Sequence, residues 1–304
     1  MPVACALCGS NNVAVQEAIS VAELNAKYRQ AFGIAHALRS TQLNYCVCSA
    51  CGLGFFDPIE TGGEELYERL QSFDWYYMAD KYEYGIARKY LPLEGDVLEV
   101  GAGKAAFAEL VGVGRYTGLE FNDKAIERAG RSGIRLIKQT VEEHTTSNRR
   151  YDAVVSFQVL EHVADPAEFI RGCVQCLNPG GCLIIAVPAH DGFSGNAVNN
   201  ILDMPPHHVT HWSDRTLRYF APLFGLEVLA IEYEPVAGYH RVWACKTIWE
   251  SRLRKIFGLR QCLLDYSPMA LLVSKLSSFM ARIFPAQVEQ LKGHTVVAIY
   301  RKVK

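Results

Sequence analysis

No run of 18 uninterrupted apolar residues occurs in the chain, so nothing in it reads as a membrane-spanning helix. The opening "MPVACALCGS" lacks the basic flank and apolar stretch of an export leader. Net charge is nearly absent too, with 31 Lys/Arg against 32 Asp/Glu, so no global attraction to nucleic acid is expected. Low-complexity tracts and internal repeats are missing, which excludes solenoid and linker-dominated architectures. What remains is an ordinary globular composition, half hydrophobic and about a fifth charged, over 304 residues. That length predicts two domains, or one large domain with appendages.

The charge is unevenly spread. Residues 239–304 hold 12 Lys/Arg against 3 Asp/Glu, net +9, and the preceding 238 residues carry net −10. A basic tail favours an anionic substrate, an acidic neighbouring surface or anionic lipid.

Ten cysteines in a chain without an export signal point to a reducing, cytoplasmic setting, where metal binding is favoured over disulfides. "CALCG" and "CSACG" set Cys5, Cys8, Cys48 and Cys51 in two C-x-x-C-G turns. Two intervening residues let a tight turn aim both sulfurs at one ion, and the glycine permits the turn's backbone. Two such knuckles make the four-thiolate set of a structural zinc, with its coordination shell closed. A helix is predicted between them, over "VAELNAKYRQAFG". Cys173 and Cys176 also read C-x-x-C, but fall with Phe169 and Leu177 on one helical stripe, which makes them core.

From about residue 95 the chain alternates strand and helix: "DVLEV", "RYTGLEF", "IRLIK", "YDAVVSF", then a helix, an "NPGG" turn and "CLIIAVP". The alternation predicts an α/β, doubly wound, mostly parallel sheet, with a ligand crevice at the carboxyl ends of its first and fourth strands. "GLEVLAIEYEP" and "HTVVAIYRK" then follow as two strands around a long helical segment, an antiparallel pair at the sheet edge. The expected layout is a ribbon module over 1–57, a helical linker or lid over 58–94, and the α/β domain over 95–304 with an insertion at about 239–292.

Gly101, Gly103 and Ala106, after "DVLEV", fit the G-x-G-x-x-G/A turn of a nicotinamide-binding dehydrogenase. One carboxylate argues against a pyrophosphate there, and a second suits a ribose. Glu99 precedes the first glycine at the mouth of its strand, where it repels phosphate and welcomes a cation. Glu120 ends the second strand, where a carboxylate accepts ribose hydroxyls. S-adenosylmethionine, with its ammonium, sulfonium and ribose diol, satisfies both.

"VLEVGAGKAAF", "LEFN", "YDAVVSFQVLEHVADP", "LNPGGCLIIAVP" and "GLEVLAIEYEP" resemble the successive motifs of class I S-adenosylmethionine-dependent methyltransferases, over about residues 75–304. The resemblance implies that Glu99, Gly101, Ala102 and Gly103 line the methionine end and Glu120 the ribose. It implies further that Phe121 flanks the adenine, Val141 and Glu142 lie near its edge, and Gln158 and Val159 lie under the sulfonium. The family's third glycine is replaced by Ala105, a departure of one methyl group. The front knuckles, with "FFDPIETGGEELYERLQSFDWYYMADKYEYG", resemble a zinc-ribbon branch associated with sugar and polysaccharide biosynthesis, including sugar C-methyltransferases.

Methyl transfer needs an aligned acceptor and, for a hydroxyl or acidic C–H, a base. "DMPPHHVTHWSDRTL" offers His207, His208 and His211, and "LEHVADP" adds His162. His208 and His211 are the favoured bases. A metal site among these histidines is not expected, since no carboxylate or cysteine lies at ligand spacing. Tyr76, Tyr77 and Tyr84 precede the first strand and could reach the cofactor or acceptor, Tyr77 being the choice for the cofactor. The helical "SPMALLVSKLSSFMARIFP" is expected to lid the acceptor pocket or form a dimer contact, with peripheral contact at a membrane surface as the alternative.

The reading is therefore a methyltransferase with a small, sugar-containing acceptor and no nucleic-acid partner. Its rivals are a zinc-ribbon RNA methyltransferase, a nicotinamide-dependent dehydrogenase and a non-catalytic cofactor-binding scaffold. Only three Lys/Arg lie in residues 1–52, which weakens the RNA reading.

Overall fold

A computed structural model describes residues 3–34, 37–73 and 81–303. Its front module contains β1 (Val13–Ile19), α1 (Val21–Phe32), β2 (Leu43–Cys48) and β3 (Gly54–Asp57). The helix between the knuckles begins where Ser20 accepts a hydrogen bond from the Glu23 amide and ends at Gly33, whose φ of +77° suits glycine. Leu24, Tyr28 and Phe32 recur at i, i+4 and i+8 and bury one face of α1. Then follow α2 (Glu64–Gln71) and α3 (Tyr82–Tyr90).

The body continues through β4 (Val97–Val100), α4 (Phe107–Val111), β5 (Tyr116–Leu119), α5 (Asp123–Arg131), β6 (Leu136–Ile137) and α6 (Val141–Thr145). It goes on through β7 (Tyr151–Phe157), α7 (Pro166–Gln175), β8 (Leu177–Pro188), β9 (Thr210–His211) and α8 (Asp214–Leu223). The last elements are β10 (Leu226–Pro235), α9 (Arg241–Ile256), α10 (Pro268–Ile283) and β11 (Lys292–Lys302).

Among the described residues, seven strands form one sheet in the order β10-β11-β8-β7-β4-β5-β6. β11 alone runs against its neighbours, inserted between β8 and β10. Successive side chains on these strands alternate between two cores. Leu98, Val154, Leu183, Ile185 and Val296 face one side, and Val97, Val155, Ile184 and Val297 the other. A sheet apolar on both faces needs cover on both. Tyr84, Phe107 and Phe157 pack on one side with ring centroids 4.9–5.2 Å apart. α7, α8 and the knuckles cover the other, where Trp212 and Phe220 join Cys48 and Cys51 in one continuous core. Cys173 and Cys176 lie within this core.

A second sheet, in the order β1-β2-β3-β9, takes its last strand from beyond β8. Gly54 pairs with His211 and Phe55 with Thr210, so the histidine-bearing loop is drawn between the two sheets. Gly54 is glycine because a Cβ there would come within 2.3 Å of the Tyr45 hydroxyl. Arg215 of α8 ties the second knuckle down by donating to the carbonyls of Ser49 and Ala50 at 2.6 and 3.0 Å.

Two expectations are corrected here. The "NPGG" segment is not a separate turn but lies inside β8, where Gly180 takes a φ of +77°. The helix expected as a lid, α10, buries Ala270, Val273, Ser277 and Ala281 and leaves Leu272, Phe279 and Ile283 more than half exposed. Its outer stripe covers nothing among the described residues and lines no part of the large cavity, which corrects the lid and not the dimer contact expected as its alternative. Among the described residues no helix is long and apolar enough to cross a membrane.

Candidate functional site

A cavity of about 1490 Å³ opens at the carboxyl ends of β4, β5 and β7. One end is made by the strand tips and the turn between β4 and α4. Gly101 has a φ of +77°, and a Cβ on it would meet Val159 at 2.4 Å, so only glycine allows the turn to sit so close to the β7 loop. The amides of Gly101 and Ala102 donate to the Leu119 carbonyl at 3.0 and 2.9 Å, fixing the turn to β5. Ala105 lies in the left-handed region at φ +56°, so the substitution noted above is more than a methyl: it holds a residue where glycine is favoured, at a cost of about 1 kcal/mol.

Glu120 is tied into the turn. Its carboxylate accepts hydrogen bonds from the amides of Gly103 at 2.7 Å and of Phe121 and Asn122 at 2.8 Å. A carboxylate has about four acceptor directions, so room remains for an external donor. Phe121 is 57 % exposed and lines the cavity, which rules out a role in core packing.

Glu99 lines the cavity but is 2 % exposed and accepts a hydrogen bond from the Tyr116 hydroxyl. Burial pushes its carboxyl up to about 8, against the smaller lowering effects of the Tyr116 hydrogen bond and Lys81. Left alone it is therefore mostly neutral at physiological pH, and a cation beside it would favour its carboxylate form. Gln158 takes a φ of +57° and donates from Nε2 to Thr295 Oγ1 at 3.3 Å. Gln158, Val159, Ala102 and Gly103 all line the cavity. Tyr84 lines it as well, whereas Tyr76 and Tyr77 lie outside the described residues.

Val141 and Glu142 do not line it. Val141 is buried in the core beneath α7, where its Cγ1 lies 3.1 Å from the position a Gly172 Cβ would take. The short β6 strand ends before them, and α6 turns their side chains toward α7 rather than the crevice.

The far end of the cavity is lined by Glu161, His162, Asp203, His207 and His208. The His162, His207 and His208 rings lie with centroids 4.5–4.9 Å apart. Each uses Nδ1 on an oxygen: His162 on the His207 carbonyl at 2.5 Å, His207 on the Leu202 carbonyl at 2.8 Å, His208 on Asp203 Oδ1 at 3.0 Å. Burial lowers the imidazole of His162 to about 4 and holds those of His207 and His208 well below their usual value. All three are thus unprotonated at neutral pH.

His211 is corrected. It is buried and absent from the cavity lining, with Nδ1 3.2 Å from the Tyr45 hydroxyl and Nε2 2.8 Å from the Asp203 carbonyl. Both nitrogens are engaged in bracing the loop, so it has no lone pair to offer an acceptor. The absence of a carboxylate near the histidines is corrected as well, because Asp203 lies within 3.5 Å of both His208 and His211.

Sequence reasoning passed over Glu234, His294 and Thr295, which line the cavity from the end of β10 and the start of β11. A signal existed: a last strand running antiparallel brings its first residues to the end where the parallel strands finish.

At the front, Cys5 Sγ lies 3.6 Å from Cys51 Sγ and Cys8 Sγ 3.7 Å from Cys48 Sγ, with all four sulfurs within 4.8 Å of one another. A tetrahedral zinc with bonds of about 2.3 Å sets its sulfurs about 3.8 Å apart, so the donor set fits. Cys46, by contrast, is buried in β2 and outside the cluster.

Comparison with known proteins agrees with this geometry. A family described as a methyltransferase domain matches residues 70–231. A ubiquinone biosynthesis O-methyltransferase of Serratia proteamaculans (strain 568) is 37 % identical over 94 residues, covering 28 % of this chain and 39 % of that protein. One of Yersinia pestis (strain Pestoides F) is 26 % identical over 174 residues, covering 49 % and 70 %. The crystal structure of a SAM-dependent methyltransferase from Archaeoglobus fulgidus superposes with a TM-score of 0.50 at 16 % identity, over 78 % of this chain and 100 % of that one. At that identity the likeness speaks for the fold.

Proposed function

The chain belongs to the methyltransferase-domain family, and on that premise we propose that it transfers a methyl group from S-adenosylmethionine to a hydroxyl of a small, sugar-containing acceptor. The observation that carries this reading is one continuous cavity, joining a glycine turn flanked by two carboxyl groups to a cluster of unprotonated imidazoles.

Glu99 receives the methionine ammonium, and the open backbone of Gly101, Ala102 and Gly103 lets that end lie against the turn. Glu120 accepts the ribose hydroxyls, Phe121 offers its exposed ring to the adenine, and Gln158 and Val159 flank the sulfonium. The bound donor supplies a methyl group on a good leaving group. The chain's own task is to align the acceptor oxygen opposite the sulfur and to exclude water. His208, its Nδ1 held by Asp203, takes the hydroxyl proton at Nε2 as the oxygen–carbon bond forms and the carbon–sulfur bond breaks.

The polar lining of the far end, with Asn200, Asp203, His207 and His208, suits a polyhydroxylated acceptor. The printed names of the relatives, O-methyltransferases, support oxygen as the receiving atom. The four front cysteines hold a structural zinc that braces residues 1–57, Gly62, Tyr67 and Lys81 of the linker line the cavity, and residues 95–304 carry the transfer.

Calorimetry with S-adenosylhomocysteine and with a nicotinamide dinucleotide tests the donor. Binding of the first and not the second is expected; the reverse overturns the reading. His208→Ala is expected to cut turnover by about 10²–10⁴ with cofactor affinity unchanged. Turnover equal to that of the unaltered protein removes His208 from the proton path.

A further inference from the structure

The imidazole end of the cavity has the anatomy of a metal site. One ring nitrogen from each of His162, His207 and His208 lies within 4.8 Å of the others. Their Nδ1 atoms are committed to two carbonyls and one carboxylate. Such outer partners set the tautomer of a metal-ligating histidine, leaving Nε2 as the donor. Beside them stands Glu161, 1 % exposed, with Oε1 3.8 Å from His162 Nε2. Neither of its carboxyl oxygens has a hydrogen-bond partner among the described residues. A buried carboxyl without a partner is costly, and a cation is the group that would satisfy it.

We propose that His162, His207, His208 and Glu161 bind a divalent first-row transition ion, facing the acceptor space with at least one coordination position open. Three imidazoles and a carboxylate suit zinc, cobalt or iron(II) rather than magnesium or calcium, which prefer all-oxygen sets. Bonds of about 2.1 Å set tetrahedral ligands about 3.4 Å apart, so the three imidazole nitrogens, within 4.8 Å of one another, need close by no more than about 1.4 Å, and Glu161 approaches from the His162 side. The site differs from the cysteine knuckles in its donors and in facing a cavity, the mark of a catalytic rather than a structural site. An ion there would take up His208 Nε2, so in the metal-loaded protein the ion would replace that nitrogen in activating the acceptor, by lowering the pKa of a coordinated hydroxyl and anchoring a neighbouring oxygen of the same molecule. This role rests on the methyl-transfer reading; the binding itself does not.

The test uses the full chain, stripped by a chelator and titrated with cobalt(II) in the absence of cofactor. Two equivalents are expected: one with the intense near-ultraviolet thiolate absorption of the cysteine set, the other with weak visible bands only. Elemental analysis of protein reloaded with zinc should give two ions per chain. Glu161→Gln, nearly isosteric, should weaken the second equivalent at least tenfold, and His162→Ala should abolish it, while Cys48→Ser removes only the first. A single, thiolate-type equivalent in the unaltered protein overturns the proposal, as does a second one that survives both Glu161→Gln and His162→Ala. Loss of methyl transfer with both equivalents retained overturns the methyl-transfer reading and not the metal site.

Discussion

If Glu99 pairs with the methionine ammonium as proposed, it links cofactor binding to pH. Its carboxyl, raised to about 8 by burial, is protonated in the free protein at neutral pH and must ionise to pair with the methionine ammonium. Ionising it costs about 2.7 kcal/mol at pH 6 and about 1.4 kcal/mol at pH 7, at 1.36 kcal/mol per unit below its pKa. The sign follows: the free form holds a proton that the bound form lacks, so affinity rises with pH, about tenfold per unit, until the pKa is reached. Above about pH 8 the cofactor's own amino group begins to lose its charge and the gain ends. Calorimetry with S-adenosylhomocysteine between pH 6 and 8, in buffers of different ionisation enthalpy, measures both quantities. At pH 6.5 release of nearly one proton per cofactor is expected. Glu99→Gln should bind more weakly at pH 8, lose the pH slope and release no proton, so that the two proteins converge as pH falls. A flat affinity for the unaltered protein over this range, with no proton released, would falsify the assignment of Glu99 as the ammonium's counter-charge.

Removing one knuckle ligand should be felt far from the front module, because Cys48 and Cys51 share a core with Trp212 and Phe220. Cys48→Ser is expected to lose the cysteine-bound zinc and to lower the melting midpoint by roughly 10 °C or more, by calorimetric scan with metal analysis. An unchanged midpoint would detach the module from the fold's stability. Gly118→Ala should cost about 1–3 kcal/mol in chemical denaturation, since its new methyl would lie 2.4 Å from Leu136 Cδ2 and 2.7 Å from Ala102 Cβ. Because Ala102 belongs to the turn against the cofactor, affinity for S-adenosylhomocysteine should fall with it; intact affinity and stability would show that the contact relaxes freely.

Much of the fold was legible along the chain because it rests on local periodicity. The alternation that placed Val97 and Leu98 on opposite faces, the glycines at 101 and 103, and the paired C-x-x-C turns are patterns of neighbours. So is the α1 stripe of Leu24, Tyr28 and Phe32. The first half of the candidate site was legible for the same reason: Glu99, Gly101, Glu120 and Gln158 each stand at a strand tip whose position follows from the βα rhythm.

The far half could not be read this way. His207, His208 and His211 look equivalent in sequence, yet β9 pairing with β3 turns His211 into a brace and leaves His207 and His208 facing the cavity. Val141 and Glu142 stand at a plausible distance from β6, but α6 packs them against α7. Glu161 is one acid among 32 Asp/Glu until burial raises its carboxyl to about 8 and leaves its oxygens without a partner. His294 reaches the site only because β11 runs antiparallel into the sheet. Sequence alone determined the strand order's grammar, the glycine turn after β4 and the cysteine set, all carried by residues close together in the chain. Tertiary structure decided which histidines line the cavity, which carboxyls burial pushes up and what forms the cavity's other end, because burial and long-range strand pairing act between residues that no local pattern connects.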